Sequence, residues 1–269
     1  QYLGDTVAKI AGEKAGIIKP SVPVVYFKRD AVSSGIIETH AKELDSAVTA
    51  VEKSNYIINE IDDKTIDFSF HNRYYNYDHL RIPKTSLYQV ENTCLAVVSF
   101  DILMQIRDIE YGKNAGADVR IEQAVRSGLL DFSWEGRMEE IAPDLFVDGA
   151  HNPDAARKLQ ESLRMYFPNR EFVFLMGVFR DKQYETIAER MAPMAREIIA
   201  METPDNPRAL PAKELGEVLC RYKTPKQVYV ADSLEEALQL GMKLAGKEDV
   251  IVAFGSLSFI GDLTKLSEN

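Results

Sequence analysis

The chain has few of the features that mark secreted or membrane-spanning proteins. Among its 269 residues there are two cysteines, Cys94 and Cys220, and both fall in apolar helical patterns. This usage excludes a disulfide framework and predicts two small core residues in a reducing compartment. No apolar run reaches membrane-spanning length and no secretory signal is visible, so we expect a cytoplasmic protein.

The chain has fewer basic than acidic residues, with 32 Lys and Arg against 42 Asp and Glu. The net charge of −10 argues against nucleic acid or an anionic membrane surface as the main partner. A small anionic ligand remains compatible, because a helix N-terminus with a few Arg or Lys residues can bind it locally. Apolar residues make up 45% of the chain, enough for the core of one large domain or two ordinary ones.

The second half of the sequence alternates short apolar runs with amphipathic stretches. The runs, predicted as strands, are Leu145–Val147, Phe172–Met176, Glu197–Met201, Gln227–Val230 and Val250–Phe254. The stretches between them, predicted as helices, are Ala155–Phe167, Tyr184–Ala192, Pro211–Tyr222 and Leu234–Leu244. This order predicts a doubly wound α/β unit whose ligands bind at the carboxyl ends of parallel strands. We expect Asp148, His151, Gly177 and Gly255 to gather at that rim.

The first half is less regular. We predict helices at Thr6–Lys14, Ala31–Leu44, Tyr88–Ile106 and Val119–Leu130, and a buried strand at Val22–Phe27. Alternation of polar and apolar residues over 49–82 predicts an antiparallel meander. The pattern changes near Phe132–Trp134, where we place a domain boundary, with residues 1–133 on one side and 134–269 on the other.

The segment 145–153 is the most informative in the chain. An apolar run ends in Asp148, turns on Gly149 and presents His151, and Asn152 and Pro153 then open a helix. A strand that ends at a helix N-terminus can hold a nucleotide, since backbone donors favour phosphate and the acid can accept from ribose hydroxyls. An ordinary strand–helix turn with a locally satisfied histidine is the competing interpretation.

Other local patterns are individually weak. Gly12–Lys19 joins a helix end to a strand, Gln89 and Asn92 share a polar helix face, and Arg137 lies at the proposed boundary. The turn after the second strand of the α/β half carries Arg180 and Lys182, which could contact phosphate, although most such turns are only turns.

The order of these patterns is far more specific. The series LGDTxxxIAxEKAGIIKP, YQxxN, WEGRME, DGAHNP, GVxRDK, PRALPAxEL and FGSL resembles folylpolyglutamate synthase and dihydrofolate synthase of the Mur ligase superfamily, from Leu3 to about Leu266. The resemblance implies a P-loop ATPase-like domain followed by a Rossmann-like domain, with ATP and Mg²⁺ as cofactors. Nucleotide and substrates are then expected in the cleft between the domains.

One family element is not found in this sequence. No GxxxxGK[ST] phosphate-binding loop occurs in these residues, and the chain starts at Gln1. We therefore expect the distal part of a ligase, inactive by itself. The parent is expected to be a monomer, whereas this part could self-associate through an exposed sheet edge.

The resemblance implies roles for residues of the first half. Lys14 matches a lysine that is carbamylated in these ligases, and a carbamate offers the oxygen ligands that Mg²⁺ prefers. Asn92 matches the residue that contacts adenine, with Gln89 beside it, and an amide can both donate to and accept from a purine edge. Tyr88 stands where many relatives have His.

It also implies roles in the second half. Arg137 matches an arginine that reaches the ATP phosphates, Asp148 the ribose-binding acid, and His151 a residue near the terminal phosphates. Arg208 is expected to help bind an anionic substrate, and Ser256 to line the glutamate site.

The reaction implied is acyl phosphate formation from a folate carboxylate or dihydropteroate, followed by attack of the amino group of L-glutamate. Two alternatives stay open at this point. One is a nucleotide- or folate-binding module without catalysis, and the other is a Mur-type ligase acting on peptidoglycan precursors.

Overall fold

The computed structural model describes residues 6–73, 76–111 and 118–268, except for the side chains of residues 108–111 and 118–120. Leu3, Gly4 and Asp5, which open the first motif, lie outside the described residues. The chain divides into two compact units, Gln1–Pro83 with Tyr88–Phe132, and Lys84–Leu87 with Ser133–Asn269. The second unit therefore includes four residues from within the first half of the sequence.

The first unit combines helices with two small sheets. Its elements are α1 (Val7–Ala15), β1 (Val24–Phe27), α2 (Ala31–Glu43), β2 (Val48–Val51), β3 (Tyr56–Ile61), β4 (Thr65–His71), β5 (Asn76–Pro83), α3 (Gln89–Tyr111) and α4 (Asp118–Leu130). Local capping explains where α1 lies: the Thr6 hydroxyl accepts from the Lys9 N–H at 3.2 Å, and Gly16 follows the last turn. The three strands β3, β4 and β5 form the antiparallel meander.

One part of the predicted meander was wrong. Val48–Val51 does not join the antiparallel strands but pairs in parallel with β1, residue Val24 facing Val48. The predicted start at residue 49 therefore merged two different sheets. The strands are short, and a four-residue run has too few alternations to reveal its pairing partner.

The second unit is an α/β fold with a mostly parallel sheet. Its elements are β6 (Arg137–Ala142), β7 (Leu145–Asp148), α5 (Pro153–Tyr166), β8 (Phe172–Met176), α6 (Tyr184–Met191), β9 (Ala195–Ala200), α7 (Ala212–Leu219), β10 (Val228–Val230), α8 (Leu234–Leu244), β11 (Val250–Phe254) and α9 (Ile260–Ser267). The strand order is β10-β9-β8-β11-β7-β6, and only the β6–β7 pair is antiparallel. The predicted α/β class is confirmed.

Both faces of this sheet are covered, as a parallel sheet requires. Alternate residues of the strands point to opposite faces, so that Phe174 and Val252 pack in one apolar cluster while Leu175 and Ala253 pack in the other. The first cluster includes residues of α5, α6 and α7, and the second includes residues of α8 and α9. A three-layer core therefore fixes the carboxyl ends of the central strands.

Some predictions for this half need correction. The edge strand β6 and the helix α9 were not predicted. Cys220 does not lie in the core: it caps the C-terminus of α7 and is exposed, whereas Cys94 is buried as expected. Among the described residues, no helix combines the length and hydrophobicity needed to cross a bilayer.

Candidate functional site

Three neighbouring strands of the second unit end at the same edge of the sheet. Phe254 at the end of β11 lies in register with Asp148 at the end of β7 and with Met176 at the end of β8. The segments that follow begin with Gly149, Gly177 and Gly255. The sheet thus brings together the loops that carry the predicted residues of this unit.

Gly255 allows a very close approach of two backbone segments. Gly255 has φ +118°, and a Cβ placed on it would lie 2.2 Å from the carbonyl oxygen of Gly177. The Gly177 N–H donates to the Phe254 carbonyl at 3.1 Å. A side chain at position 255 would separate these loops, so glycine is required for the shape of the rim.

Asp148 is a buried carboxylate held by three donors. Asp148 is only 2% exposed to solvent. One oxygen, Oδ2, accepts from the Ser86 hydroxyl at 2.7 Å and from the Met138 N–H at 3.0 Å, and Oδ1 accepts from the Ala150 N–H at 2.8 Å. Burial raises the pKa of Asp148, while the hydrogen bond from Ser86 and the charge of Arg137 act in the opposite direction.

A bulge in β6 supplies one of those donors. The register between β6 and β7 shifts between Arg137 and Glu139, and Met138, in the bulge, has φ 51°. A left-handed conformation is costly for methionine, and such strain often marks a functional segment. The bulge aims the Met138 N–H at Asp148 and leaves Arg137 opposite Asp148 in the ladder.

Arg137 lies close to the backbone of Gly149. A Cβ on Gly149 would lie 2.3 Å from Leu257 Cδ2 and 3.2 Å from Arg137 Nη1. The missing side chain at position 149 therefore lets Leu257 and the half-buried Arg137 approach the loop closely.

His151 is oriented by the turn that carries it. Its Nδ1 lies 2.8 Å from the Gly149 carbonyl oxygen, so Nδ1 carries the proton and Nε2 is left for another partner. The next residue, Asn152, caps α5 by accepting from the Ala155 N–H at 2.9 Å, and Pro153 occupies the first turn. The helix start is as the sequence predicted.

A cavity of about 380 Å³ lies at this rim. Its lining combines cationic, hydroxyl and apolar side chains, namely His151, Phe179, Lys182, Arg208, Ser256, Leu257 and Ser258. No carboxylate lines it among the described residues, so it suits an anionic ligand of moderate size.

Arg208 reaches the cavity from the loop after β9. Its guanidinium pairs with Asp181 through two hydrogen bonds of 3.1 and 2.6 Å and lies 4.7 Å from the centre of the Phe179 ring. The hydrogen bond from Arg208 lowers the pKa of Asp181. This pairing fixes the plane of an exposed arginine beside the cavity.

Ser256 is buried and begins a short 3₁₀ helix, Leu257–Phe259. Its hydroxyl accepts from the Ser258 N–H at 3.2 Å and lies 2.7 Å from the Ser258 hydroxyl. The two hydroxyls form a polar pair on the wall of the cavity.

The remaining predicted residues belong to the first unit. Gln89 is buried at the start of α3, and its side-chain oxygen accepts from Asn92 Nδ2 at 2.6 Å, which holds the exposed Asn92 amide in place. Lys14 is exposed in the last turn of α1. Their roles stay predictions.

The magnesium prediction finds no ligand set in this part of the chain. Among the described residues, no group of three or more His, Cys, Asp or Glu could hold a metal ion. A carbamylated Lys14 would supply one ligand position, so the described residues do not by themselves fit a complete Mg²⁺ site.

The sequence did not reveal Ser86, Met138 or Ser258. Ser86 lies far along the chain from Asp148, and a single serine before a helix carries no pattern. The role of Met138 as a donor to Asp148 could be suspected only from its position after Gly136 and Arg137. A bulge in a short edge strand disturbs the alternation of residues and so leaves no pattern to recognise.

Comparison with known proteins finds sequences that are similar to this chain. Residues 136–257 match the model of the Mur ligase glutamate ligase domain. The chain is 27% identical over 266 residues to the dihydrofolate synthase/folylpolyglutamate synthase of Bacillus subtilis, covering 98% of this chain and 59% of that protein. It is also 29% identical over 194 residues to a UDP-N-acetylmuramoyl-L-alanyl-D-glutamate–2,6-diaminopimelate ligase of Caldanaerobacter subterraneus, covering 68% of this chain and 36% of that protein.

A solved structure shares the fold over the whole chain. The Mycobacterium tuberculosis folylpolyglutamate synthase complexed with ADP superimposes with a TM-score of 0.83 at 24% identity, covering 100% of this chain and 61% of that one. The chain thus spans about three fifths of the length of these folate-related proteins.

Proposed function

We propose that the protein to which this chain belongs is an ATP-dependent ligase that joins L-glutamate to a folate. The support is the 27% identity to a dihydrofolate synthase/folylpolyglutamate synthase and the match of residues 136–257 to the Mur ligase glutamate ligase domain. The division into an ATPase-type domain over residues 1–133 and a glutamate ligase domain over residues 134–269 is part of this proposal.

The observation that carries the proposal is the cationic cavity at the ends of β7, β8 and β11. Its volume of about 380 Å³ suits a small anion, and Lys182 and Arg208 offer complementary donors. The hydroxyls of Ser256 and Ser258 add neutral donors and acceptors. We assign to it the carboxylates of glutamate, with Arg208 and Ser256 as the substrate-binding residues.

The nucleotide is assigned to a different set of residues. Arg137 would bind the ATP phosphates, Asp148 would accept from a ribose hydroxyl through Oδ1, and His151 would approach the terminal phosphate through Nε2. Oδ1 of Asp148 has one donor in the structure, whereas Oδ2 has two, so Oδ1 retains accepting capacity. Gln89 and Asn92 are proposed to contact adenine.

The proposed reaction has two steps. A carboxylate oxygen of the folate attacks the terminal phosphorus of ATP, and ADP leaves, giving an acyl phosphate. The amino nitrogen of glutamate then attacks the acyl carbon, phosphate leaves and the nitrogen loses a proton, giving the amide. Cationic side chains stabilise the charge that develops on the transferred oxygens. Lys14, once carbamylated, is proposed to supply one oxygen ligand for Mg²⁺.

Substitution of Arg137 in the complete protein tests this function. We expect Arg137→Ala to lower kcat/KM for ATP by about 100-fold or more, as for loss of a charge-stabilising donor. The unfolding free energy should change by less than about 1 kcal/mol, because the side chain is only half-buried. Product is measured by mass spectrometry as addition of one glutamyl unit to dihydropteroate or tetrahydrofolate. Turnover close to that of the unsubstituted protein would refute the assignment of Arg137.

A second function is favoured by the similarity to the diaminopimelate ligase. The same assay with a UDP-N-acetylmuramoyl dipeptide and diaminopimelate separates the two. Product with that pair and none with folates would replace the folate assignment. A binding module without catalysis would bind ATP and form neither product.

A further inference from the structure

The segment Lys84–Leu87 is fastened to the second unit although its neighbours in sequence belong to the first. The Thr85 hydroxyl donates to the Arg137 carbonyl at 2.7 Å, and the Leu87 N–H donates to the Ser162 hydroxyl at 3.1 Å. These bonds attach the segment to β6 on one side and to α5 on the other. The middle residue of this clamp, Ser86, is thereby held in one place.

Ser86 donates its hydroxyl proton into the buried carboxylate of Asp148. The two atoms are 2.7 Å apart, and the residues are 0% and 2% exposed. The hydroxyl therefore has no access to water, and its bond to Asp148 is a contact between two residues that lie 62 positions apart in the chain. A charge-assisted bond in such an environment is stronger than one at the surface.

The donors around Asp148 are distributed unequally. Ser86 and the Met138 N–H both donate to Oδ2, which fills its two lone-pair directions, while Oδ1 accepts only the Ala150 N–H among the described residues. The carboxylate is thus held in one rotamer, and through Oδ1 it holds the Ala150 N–H of the loop that leads to His151. Rotation of the carboxylate would break bonds on both oxygens at once.

We propose that Ser86 is a positioning residue for nucleotide binding, which holds the buried Asp148 and, through it, the loop that carries His151 and the bulge beside Arg137. This inference rests on the proposed function, in that it assigns phosphate contacts to Arg137 and His151, and it adds a residue that does not itself touch the nucleotide. Without the hydroxyl, Oδ2 keeps one donor, and the buried carboxylate loses both orientation and a group that stabilises its charge.

The pH dependence of ATP affinity distinguishes positioning from mere structural support. The charged side chain that acts on Asp148 is Arg137 of β6, and the other groups facing it are Ser86 and two backbone N–H groups. Removal of the Ser86 donor should raise the pKa of Asp148 further, because the hydrogen bond that lowers this pKa is then lost while the effect of burial remains. The acid limb of ATP binding should accordingly move to higher pH.

The experiment compares Ser86→Ala with Thr85→Val in the complete protein. Both changes remove one hydroxyl from the same clamp, but Thr85 bonds the Arg137 carbonyl and not Asp148. ATP affinity is measured by calorimetric titration between pH 5 and 8, which requires no turnover. We expect Ser86→Ala to weaken ATP binding about 10-fold at pH 7, with a shifted acid limb, and Thr85→Val to change it less than about 2-fold with no shift.

Two further variants keep the test decisive. In an Asp148→Asn background, loss of the Ser86 hydroxyl should change ATP affinity by less than about 2-fold, since the partner of the hydroxyl is gone. If the alanine variant does not fold, Ser86→Cys, which keeps the volume and a weaker donor, should show an intermediate loss. A folded Ser86→Ala or Ser86→Cys protein with unchanged ATP affinity and pH profile overturns the inference. Absence of ligase product in an unsubstituted protein that binds ATP would instead contradict the proposed function.

Discussion

Asp148 shows how one buried carboxylate can organise three separate segments. It accepts from Ser86, from the β6 bulge and from the loop that leads to His151. The sequence identified this acid and its histidine because they stand between an apolar run and a helix cap. It could not identify Ser86, because the contact arises only when the chain folds and no local pattern encodes it.

The stability of the protein should depend on pH through Asp148. Burial raises the pKa of this carboxyl in the folded state. Its contribution to the free energy of unfolding is therefore fully present below the ordinary pKa of an aspartate, and it is lost as pH rises through the pKa of the folded state. Asp148→Asn should destabilise the fold by about 1–3 kcal/mol, since an amide N–H would face the Met138 N–H. That penalty should shrink as pH rises from 4 to 7, which urea unfolding at several pH values measures. A penalty that grows over this range would contradict the sign.

The two close-approach glycines should respond differently to alanine. At position 149 the added Cβ meets the flexible end of Leu257, whereas at position 255 it meets the backbone oxygen of Gly177 and must adopt φ +118°. We expect Gly149→Ala to cost about 1–3 kcal/mol and Gly255→Ala about 2–5 kcal/mol in unfolding free energy.

A compensating change separates these mechanisms. Leu257→Ala should recover part of the loss in Gly149→Ala, because it removes the atoms that the new Cβ meets. It should not recover the loss in Gly255→Ala. Equal recovery in both backgrounds would show that the overlap with Leu257 is not the cause.

Long elements, in which the apolar residues repeat several times with one period, were predictable from the sequence. Short strands at the edge of a sheet were not. The helix α8 lies at its predicted bounds, Leu234–Leu244, since apolar residues recur along one face. The strand β6 was missed because Arg137–Ala142 carries charged residues and a bulge, which hide any alternation. Val48–Val51 was assigned to the wrong sheet, since pairing depends on contacts distant in sequence.

The start of α5 provides a test of an element that positions the site. Asn152 caps the helix through the Ala155 N–H, and it directly follows His151. Asn152→Ala should lower stability by about 1 kcal/mol, while Asn152→Asp should retain most of it because aspartate caps equally well and favours the helix dipole. Thermal unfolding followed by circular dichroism measures both. An alanine variant as stable as the aspartate variant would show that the cap contributes little.

For the whole chain, the division into two units has a consequence for Asp148. A polypeptide of residues 133–269 contains the sheet and the cavity but lacks Ser86 and the rest of Lys84–Leu87. We expect it to fold cooperatively, because its core clusters lie within it, and to be less stable than a version in which residues 84–87 are joined to its N-terminus by a flexible linker. Chemical unfolding of the two polypeptides measures the difference. Equal stabilities would mean that the clamp contributes nothing to the second unit.

The overall α/β class and the position of the candidate site at the strand ends could be predicted from the sequence. The period of the apolar residues and the order of strands and helices determine both. The family resemblance supplied the roles that geometry by itself does not assign, such as adenine contact by Asn92 or carbamylation of Lys14. Those roles depend on nucleotide and substrates, which no pattern of apolar residues encodes.

Oxygen transfer tests the proposed chemistry most directly. The complete protein is incubated with ATP, L-glutamate and a folate whose carboxylate is labelled with ¹⁸O, and the inorganic phosphate is examined by mass spectrometry. An acyl phosphate intermediate requires that one carboxylate oxygen leaves with phosphate, so the account predicts one ¹⁸O atom per phosphate for each amide formed. Amide formation with unlabelled phosphate would contradict it.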